Sequence, residues 1–272
     1  MELRHRSLSP FGAEVDLDLS RPLDEAGQGA LRDLLRHHKL LVFRGQDLSE
    51  ADQIRAVGYV GPVLPPAKEH LELSLDDESG RDKFAYHSDI WFTPEPYRRL
   101  SLYGIEIDGA TTTHFVNGVH AAARLPAALR ERLAAMTATF VSPTCLDRRD
   151  VEYAIALSRP QHRWPVLLDH PDTGEPLLSV SELCTARLDD LPPDESEALL
   201  LELFAHHYAE PGVYRHHWHT GDLLLWDNIA LQHGRDDQKD VRRRRLRRIV
   251  GAEKSVYDQA NPGVVRPTGM MS

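Results

Sequence analysis

The chain has 272 residues, which suffices for one large domain with a substantial buried core. Its formal net charge of −10 at pH 7 argues against nucleic acid or an anionic membrane surface as a general partner. The charged N-terminus, the lack of any apolar stretch of about 18 residues and two cysteines without Cys-x-x-Cys spacing, Cys145 and Cys184, predict a soluble cytoplasmic protein without a cysteine zinc site.

The first elements along the chain are predicted to be a helix, a buried strand and a second helix. Residues 23–38 carry leucines at helical spacing, and the apolar run Leu40–Phe43 follows as a strand. A second helix is expected to begin near Ser49, because the acidic residues of its first turn complement the helix dipole. The segment 62–83 is rich in prolines, acids and loop formers, and we predict that it forms a lid or insert.

The triplet His87-Ser-Asp89 follows within an aromatic stretch that suits a half-buried strand. Residues i and i+2 of a strand point to the same face, so a His-x-Asp step on an extended segment brings two ligands together. A third ligand from a distant strand would complete the two-histidine, one-carboxylate face of non-haem Fe(II) oxygenases, which leaves other coordination positions open. The flanking aromatic residues are candidate walls of a substrate pocket: Tyr86, Trp91 and Phe92.

Two other places in the chain match or nearly match this spacing. His170-Pro-Asp172 lies in a cluster of turn formers, where Asp172 and the following glycine have an ordinary turn explanation. His70-Leu-Glu72 lies in a polar stretch without strand flanks, which favours a solvated loop or lid. The sequence context therefore selects His87 and Asp89 as the metal ligands.

The rest of the chain alternates strand and helix signals without repeats or a low-complexity linker, which predicts a single domain over residues 1–272. Many strands and few helices predict a mainly β fold with flanking helices, its sheet folded on itself as a jelly-roll core, the double-stranded β-helix. Helices are expected near 126–136 and at 193–207. The strand candidates are 102–107, 137–141, 164–168, 177–180, 223–226 and 243–250.

His233 is the candidate third ligand. The run 221–228 carries a turn, a buried strand and a second polar turn, and His233 comes five residues later, which fits a ligand just past a strand. A core histidine in a hairpin is the alternative. The cluster His216-His217-Trp-His219 is predicted to contain surface or packing histidines, because adjacent strand residues point to opposite faces.

An arginine-rich run follows His233 and has two interpretations. As a strand, it places Arg244 and Arg248 on one face, while Arg243, Arg245 and Arg247 share the other. A buried guanidinium needs a carboxylate partner, and its planar fork suits a bidentate one, which an anionic cosubstrate would provide. The alternative is a basic patch, residues 242–248, that binds nucleic acid or a partner protein in a non-enzymatic module.

Taken together, these segments resemble the taurine/2,4-D dioxygenase-like branch of Fe(II)- and 2-oxoglutarate-dependent oxygenases, from about residue 40 to residue 251. The similarity lies in Leu-Val-Phe-Arg-Gly-Gln at 41–46, in His87-Ser-Asp89, in Ser-Leu-Tyr-Gly-Ile-Glu-Ile at 101–107 with the threonine-rich segment 109–117, and in Trp-Asp-Asn-x4-His at 226–233.

The resemblance implies that His87, Asp89 and His233 bind Fe(II), and that Thr113 and Arg244 hold the distal carboxylate of 2-oxoglutarate. Arg248 would face the metal-bound end of 2-oxoglutarate or the substrate. The usual Gly-Gly-Asp-Thr is here Gly-Ala-Thr-Thr-Thr at 109–113, and only two residues separate Arg248 from the next glycine. The residues left open in place of these choices are Thr111, Thr112, Arg245 and Arg247.

The activity implied by the resemblance is oxidation of a C–H bond of a small organic molecule, with O2 and 2-oxoglutarate consumed and succinate and CO2 released. A role in bacterial secondary metabolism or catabolism is expected. Related halogenases have a small residue where this chain has Asp89, so the carboxylate favours hydroxylation or another halide-free oxidation such as desaturation. No nucleic-acid or membrane partner is expected, and the choice between monomer and homo-oligomer stays open.

Overall fold

The computed structural model describes residues 3–65, 71–75, 81–142 and 160–259, and over these residues the predicted mainly β class with flanking helices is confirmed. The strands are β1 (His5–Ser7), β2 (Ala13–Val15), β3 (Leu40–Phe43), β4 (Leu71–Leu73), β5 (Phe84–His87), β6 (Arg99–Asp108), β7 (Thr112–Asn117), β8 (Thr137–Val141), β9 (Gln161–Pro165), β10 (Leu167–Asp169), β11 (Pro176–Leu178), β12 (Thr185–Leu188), β13 (Val213–His217), β14 (Leu223–Asp227), β15 (Leu231–Arg235) and β16 (Arg243–Gly251). The helices are α1 (Glu25–His38), α2 (Glu50–Gly58), α3 (Gly118–Ala123), α4 (Ala127–Leu133) and α5 (Pro193–His207).

Eight of the strands alternate between two sheets. The larger sheet has seven strands in the order β1-β2-β3-β14-β6-β16-β4, and the smaller has four in the order β13-β7-β15-β5. From β4 to β7 and from β13 to β16, successive strands change sheet, while β7 and β13 are neighbours in the smaller one. A three-stranded sheet, β12-β8-β9, and the pair β10-β11 flank this arrangement.

Strand β14 is buried along its whole length because both faces of the larger sheet are covered. Leu224 and Trp226 belong to the cluster that joins the two sheets, where Phe115 of β7 also lies. Leu223 and Leu225 point the other way, into a second cluster built with α1 and α2. Because side chains alternate along a strand, β14 contributes residues to two hydrophobic cores. One of these cores adjoins the space between the two sheets.

Several predicted elements begin or end at the expected residues, and capping contacts explain some of these boundaries. Strands β3 and β8 and helix α5 span the predicted residues. Helix α1 begins at Glu25 because Asp24 accepts the Gly27 backbone N–H through Oδ1 at 2.7 Å, and it ends where Lys39 adopts a left-handed φ of 63°. Ser49 and Asp52 form a capping box, so α2 begins immediately after Ser49 as predicted.

Other predicted elements differ from the structure. The single strand expected at 164–168 is divided between β9 and β10, because the Val166 N–H between them donates to the Met136 carbonyl. The segment 62–83, expected as a lid or insert, contains β4, which pairs with β16 at the edge of the larger sheet. Its residues 66–70 and 76–80, including His70, lie outside the described residues. In the described part of the chain, no helix combines the length and apolarity needed to cross a membrane.

His170 is part of a buried pair beneath the turn that was predicted around it. Its Nε2 lies 2.9 Å from Asp227 Oδ2, and both side chains are buried. The turn itself is present, since the Gly174 N–H donates to the His170 carbonyl and Gly174 has a φ of +70°. Asp172 turns outward to Arg98 and Arg99. The pair therefore ties this turn to the end of β14.

Replacing Asp227 with alanine is expected to lower the free energy of unfolding by about 3–5 kcal/mol, because His170 is left buried without its partner. Burial by itself raises the pKa of Asp227, but the hydrogen bond from His170 and the neighbouring positive charges together outweigh burial, so the net pKa is lowered. The stabilisation is therefore present above the unfolded-state pKa of about 4 and lost as the pH falls below it. Urea unfolding between pH 3 and pH 7 measures both effects.

Asp172→Ala is the matched control, since it removes a more exposed carboxylate of the same turn. It should cost about 1 kcal/mol or less. Equal losses in the two variants would contradict the assigned role of the buried pair.

Candidate metal centre

The three predicted ligands come together where strand β5 ends beside strand β15. Strands β5 and β15 are antiparallel, and His87 is the register partner of His233. Asp89 was predicted to lie on the strand. It lies instead in the turn after the strand, where Ile90 has a φ of 51°. His233 lies inside β15, not just past β14 as predicted, because the turn at the end of β14 starts a new strand. The three ligand residues are the predicted ones, although the backbone conformation that brings them together differs from the prediction.

The donor atoms of these three side chains are close enough to bind a single ion. His87 Nε2 is 3.3 Å from Asp89 Oδ1, and His233 Nε2 is 3.6 Å from the same oxygen. Ligand atoms about 2.1 Å from one ion and at right angles to one another are about 3 Å apart, so this spacing fits one metal ion. Within the described ranges, no other group of three or more His, Cys, Asp or Glu side chains is arranged to hold a metal.

Hydrogen bonds and burial prepare these side chains for a cation. His87 Nδ1 donates a hydrogen bond to the Ala85 carbonyl at 2.9 Å. The other ring nitrogen, Nε2, is then unprotonated on the side of Asp89 and can bind a metal through its lone pair. Burial, reinforced by the nearby His87, lowers the pKa of His233 to about 3, so its imidazole is neutral. Burial raises the pKa of Asp89, but the contacts with both histidines and the Arg248 charge together outweigh burial and lower it. An ionised carboxylate beside neutral imidazole is the state that a divalent metal requires.

Asn228 holds the turn that carries Asp89. Its Oδ1 accepts the Asp89 backbone N–H at 2.9 Å, and its Nδ2 donates to the carbonyls of Asp89 and Tyr97 at 3.2 and 2.8 Å. The side chain is completely buried. Asn228 belongs to a motif that was singled out in the sequence, but this role was not predictable, because the two contacting segments are 139 residues apart.

Asn228→Ala is expected to weaken Fe(II) binding by about 10- to 100-fold, the range typical of residues that support a metal ligand. The Asp89 backbone would lose both of its hydrogen bonds to the Asn228 side chain, and the Tyr97 carbonyl would lose the third. Equilibrium titration of the protein with Fe(II) under nitrogen measures the affinity. Asn117→Ala is the matched control, because Asn117 is also buried but caps α3 instead. Wild-type affinity in Asn228→Ala, or an equal loss in the control, would contradict the role.

A cavity of about 340 Å³ adjoins the three ligands. This volume is at the lower end of the range for small-molecule sites. Phe92, one of the predicted aromatic wall residues, lines the cavity, but Tyr86 and Trp91 do not. Tyr86 stacks on Tyr208 with ring centroids 4.4 Å apart, and Trp91 packs against Trp164.

Arg244 enters the cavity from β16 with unsatisfied hydrogen-bonding capacity. It is 4% exposed, and its Nε and Nη1 have no hydrogen-bond partner in the structure. Burial, with a smaller effect of Arg235, lowers the pKa of Arg244 to about 9. Two buried guanidinium nitrogens without acceptors are costly, so this point of the cavity is suited to an anion.

Thr113 lines the same cavity and has its hydroxyl oriented by a neighbour. The Trp218 indole N–H donates to Thr113 Oγ1 at 2.9 Å, which leaves the threonine proton available to an acceptor in the cavity. This role of Trp218 was not predicted from its position between the histidines of the 216–219 cluster. The other threonines are engaged elsewhere: Thr111 donates to Gln238, and Thr112 contacts His114.

The predicted division of the arginine strand into two faces is confirmed. Arg248 lines the cavity, and its Nη1 donates to Asp89 Oδ2 at 2.7 Å, so it contacts the candidate metal ligand directly. Arg245 pairs with Glu72 on the other face, and Arg247 donates to Gln53 and the Leu48 carbonyl. Arg242 and Arg243 pair with Asp108 and Glu106.

The remaining candidate ligands have structural roles in the described chain. His216 is buried with its Nε2 3.1 Å from Asp222 Oδ2, and His219 is largely exposed. The prediction of packing and surface histidines in this cluster is therefore confirmed. Cys184 is buried and lines the cavity, and burial raises the pKa of its thiol to about 12. Cys145 lies outside the described residues.

Comparison with known proteins is consistent with this geometry. The sequence profile described as "Taurine catabolism dioxygenase TauD, TfdA family" matches residues 4–250. The chain is 30% identical over 278 residues to the alpha-ketoglutarate-dependent 2,4-dichlorophenoxyacetate dioxygenase of Cupriavidus pinatubonensis, covering 90% of this chain and 96% of that protein. It is 27% identical over 270 residues to the alpha-ketoglutarate-dependent sulfate ester dioxygenase of Pseudomonas putida, covering 90% and 88%.

A crystal structure of a taurine dioxygenase from Burkholderia xenovorans matches with a TM-score of 0.80 at 24% identity. The match covers 93% of this chain and 91% of that one, and it shows a shared fold.

Proposed function

This chain belongs to the taurine catabolism dioxygenase TauD, TfdA family and is an Fe(II)/2-oxoglutarate-dependent dioxygenase, and we propose that it hydroxylates a C–H bond of a small organic molecule. The observation that carries the proposal is a three-ligand metal site and a buried guanidinium with two unpartnered nitrogens in one cavity. The reaction would consume O2 and 2-oxoglutarate and release succinate and CO2.

His87, Asp89 and His233 would hold Fe(II) on one face, which leaves the positions toward the cavity open. When bound, the metal and 2-oxoglutarate supply the oxidising chemistry, which the side chains alone cannot provide. The protein's task at this point is to keep the ligands deprotonated and fixed. Arg248 contributes by holding Asp89 Oδ2, which directs Oδ1 toward the two histidines.

Arg244 and Thr113 would bind the distal carboxylate of 2-oxoglutarate. The proposal is supported by the unpartnered Nε and Nη1 of Arg244 and by the hydroxyl that Trp218 orients on Thr113. A buried guanidinium with N–H groups that lack acceptors is suited to an anionic carboxylate. Arg245, Arg247, Thr111 and Thr112 are less suited, because each of them has its partner outside the cavity lining.

We infer that the fold around the site is a jelly roll, the double-stranded β-helix predicted from the sequence. The inference rests on the alternation of β4–β7 and β13–β16 between two sheets that share one core. We further propose that residues 1–272 form one domain, in which the segment 62–83 contributes both a core strand and a cover for the cavity. Leu73 of β4 lies in the cavity lining, in agreement with that double role.

Hydroxylation is preferred over halogenation because Asp89 supplies a carboxylate ligand from the position at which halogenases of this kind have a small residue. Desaturation by the same site is the second candidate. The non-enzymatic alternative, a basic patch that binds nucleic acid or a partner protein, has little support, because Arg242, Arg243 and Arg245 are paired with acidic residues.

A panel of small acids, amino acids and natural-product precursors tests the proposed reaction, scored by substrate-stimulated succinate release. A product that gains one oxygen atom by mass spectrometry is the expected result. A product that instead loses two hydrogen atoms would assign the reaction as desaturation rather than hydroxylation. The proposed function would be contradicted if no succinate were released with any compound of the panel and none were released when the compounds are omitted.

A further inference from the structure

A cluster of three polar residues lies behind the threonine that faces the metal cavity. It consists of Arg44, His216 and Asp222, which we call the Asp222 cluster, and its members lie outside the cavity lining, as does Trp218. We propose that the Asp222 cluster and Trp218 form a positioning unit for 2-oxoglutarate, because together they fix the direction in which Thr113 donates its hydroxyl proton. The inference rests on the proposed function and deepens it.

The Asp222 carboxylate is the centre of the cluster. It is 1% exposed, and its Oδ2 accepts hydrogen bonds from Arg44 Nη1, from His216 Nε2 at 3.1 Å and from the His219 backbone N–H at 2.8 Å. Burial raises the pKa of Asp222, but the hydrogen bonds from the two histidines and the Arg44 charge together outweigh burial and lower it. Burial outweighs the contact with Asp222 and lowers the pKa of His216, so a neutral imidazole donates to an ionised carboxylate.

The cluster holds Trp218 from two sides. The rings of His216 and Trp218 meet edge to face, with centroids 4.7 Å apart and an interplanar angle of 80°. Asp222 fixes the turn that follows Trp218, because its side chain accepts the His219 N–H and its own N–H donates to the His219 carbonyl at 3.1 Å. The Trp218 backbone N–H donates to the Thr111 carbonyl at 3.1 Å. Both the ring and the backbone of Trp218 are therefore held in place.

Trp218 passes this order on to Thr113. Its indole N–H donates to Thr113 Oγ1 at 2.9 Å, beside His216, which is the register partner of Thr113 on β13. A threonine hydroxyl has one proton and two lone pairs, so a donor that occupies one lone pair restricts the directions open to the proton. Without the indole N–H, the hydroxyl would be free to turn and donate to a nearby backbone carbonyl instead of to a bound carboxylate.

The cluster joins two sequence motifs that do not reach the cavity themselves. Arg44 belongs to the segment 41–46 and Asp222 to the turn before β14, and the two residues are 178 positions apart. Arg44 follows β3, and β3 pairs with β14, so this pairing brings the two charges together. His216 adds β13 of the smaller sheet. The ends of three strands from both sheets thus meet behind Thr113.

A double-mutant cycle tests the positioning role. Trp218→Phe removes the indole N–H and keeps an aromatic ring, and Thr113→Val removes the hydroxyl. Calorimetry under nitrogen, on protein loaded with Mn(II) in place of Fe(II), measures the affinity for 2-oxoglutarate. Thr113→Val should weaken binding by about 10-fold or more and Trp218→Phe by about 3- to 10-fold. The double variant should bind as Thr113→Val does, because Trp218 acts through the hydroxyl.

Asp222→Asn extends the cycle to the cluster. It should weaken 2-oxoglutarate binding by about 3-fold and have no further effect in the Trp218→Phe background. Arg44→Met removes a partly exposed donor to the same carboxylate and gives the same comparison if Asp222→Asn does not fold. Asp189→Asn is the matched control, because this carboxylate is 6% exposed and pairs with Arg163, but lies outside the cavity lining. It should leave the affinity unchanged.

Additive losses in the Trp218 and Thr113 double variant would overturn the positioning role, because Trp218 would then affect the site without the hydroxyl. Wild-type affinity in Trp218→Phe, together with a loss in Thr113→Val, would overturn the role and leave the proposed function intact. Wild-type affinity in Thr113→Val would instead overturn the assignment of Thr113 to the cosubstrate, and the positioning role with it.

The cluster itself has a separate outcome. Wild-type affinity in both Asp222→Asn and Arg44→Met, or an equal loss in Asp189→Asn, would overturn the part assigned to the Asp222 cluster. Wild-type protein that binds no 2-oxoglutarate at all would overturn the proposed function, which distinguishes that failure from failure of the positioning unit.

Discussion

His87→Ala is expected to abolish Fe(II) binding and 2-oxoglutarate-dependent succinate formation, with each reduced by more than about 100-fold. Supporting residues one step removed from a metal typically contribute 10- to 100-fold in affinity, so loss of a direct ligand should exceed that range. Asp89 would also lose the contact that helps keep it ionised. Equilibrium dialysis against Fe(II) under nitrogen measures binding, and succinate is quantified separately in air.

His217→Ala is the matched control for this variant. His217 is an exposed histidine at the end of β13, outside the cavity lining. Its replacement should change neither metal affinity nor succinate formation. An His87→Ala protein that remains folded and binds Fe(II) with wild-type affinity would remove His87 from the metal site.

Arg244→Met is expected to weaken 2-oxoglutarate binding by about 100-fold or more, because a desolvated charge pair with the distal carboxylate is lost. The same substitution should leave the ligand-free protein as stable as wild type, or more stable, because the guanidinium is buried with two nitrogens unpartnered. Few arginine substitutions combine lost binding with retained stability. The combination therefore separates a binding role from a structural one.

Calorimetry with 2-oxoglutarate gives the affinity, and thermal unfolding with and without 2-oxoglutarate gives the stability. The control is Arg245→Met, which removes the neighbouring guanidinium from the outer face of the same strand. It should retain the increase in melting temperature caused by 2-oxoglutarate. A ligand-free Arg244→Met protein that is much less stable than wild type would show that the guanidinium stabilises the fold, contrary to its assignment as a ligand anchor.

The metal ligands were predictable because local sequence separates the competing His-x-Asp steps. An aromatic strand precedes His87, while His170 stands among turn formers. The two-residue period of a strand similarly places Arg244 and Arg248 on one face. Both inferences depend on residues close in sequence, for which backbone geometry alone constrains the directions of side chains.

The support of the site was not predictable in the same way. Asn228 and the Asp89 turn are 139 residues apart, and Trp218 and Thr113 are 105 apart. Such contacts depend on the register of strands in the folded sheet, which no local pattern encodes. The same reason explains the missed pairing of His170 with Asp227 and the position of His233 inside its own strand.

Short elements were also missed because their signals are too brief. Strands β1, β2 and β12 have only three or four residues each, and helix α3 has six. Strand β4 has three residues within a polar segment, and its pairing with β16 is what identifies it as part of the larger sheet. At this length, tertiary hydrogen bonding decides the conformation more than the residues themselves.

Anaerobic titration of the purified protein with Fe(II) and 2-oxoglutarate, followed by visible absorption, tests the central claim most directly. The wild-type protein should develop a metal-to-ligand charge-transfer band only when both are present, and the band should saturate at one 2-oxoglutarate per chain. His87→Ala should show no band, and Arg244→Met should require a much higher concentration of 2-oxoglutarate. A folded wild-type protein that develops no such band would contradict the assignment of this cavity as an Fe(II) and 2-oxoglutarate site.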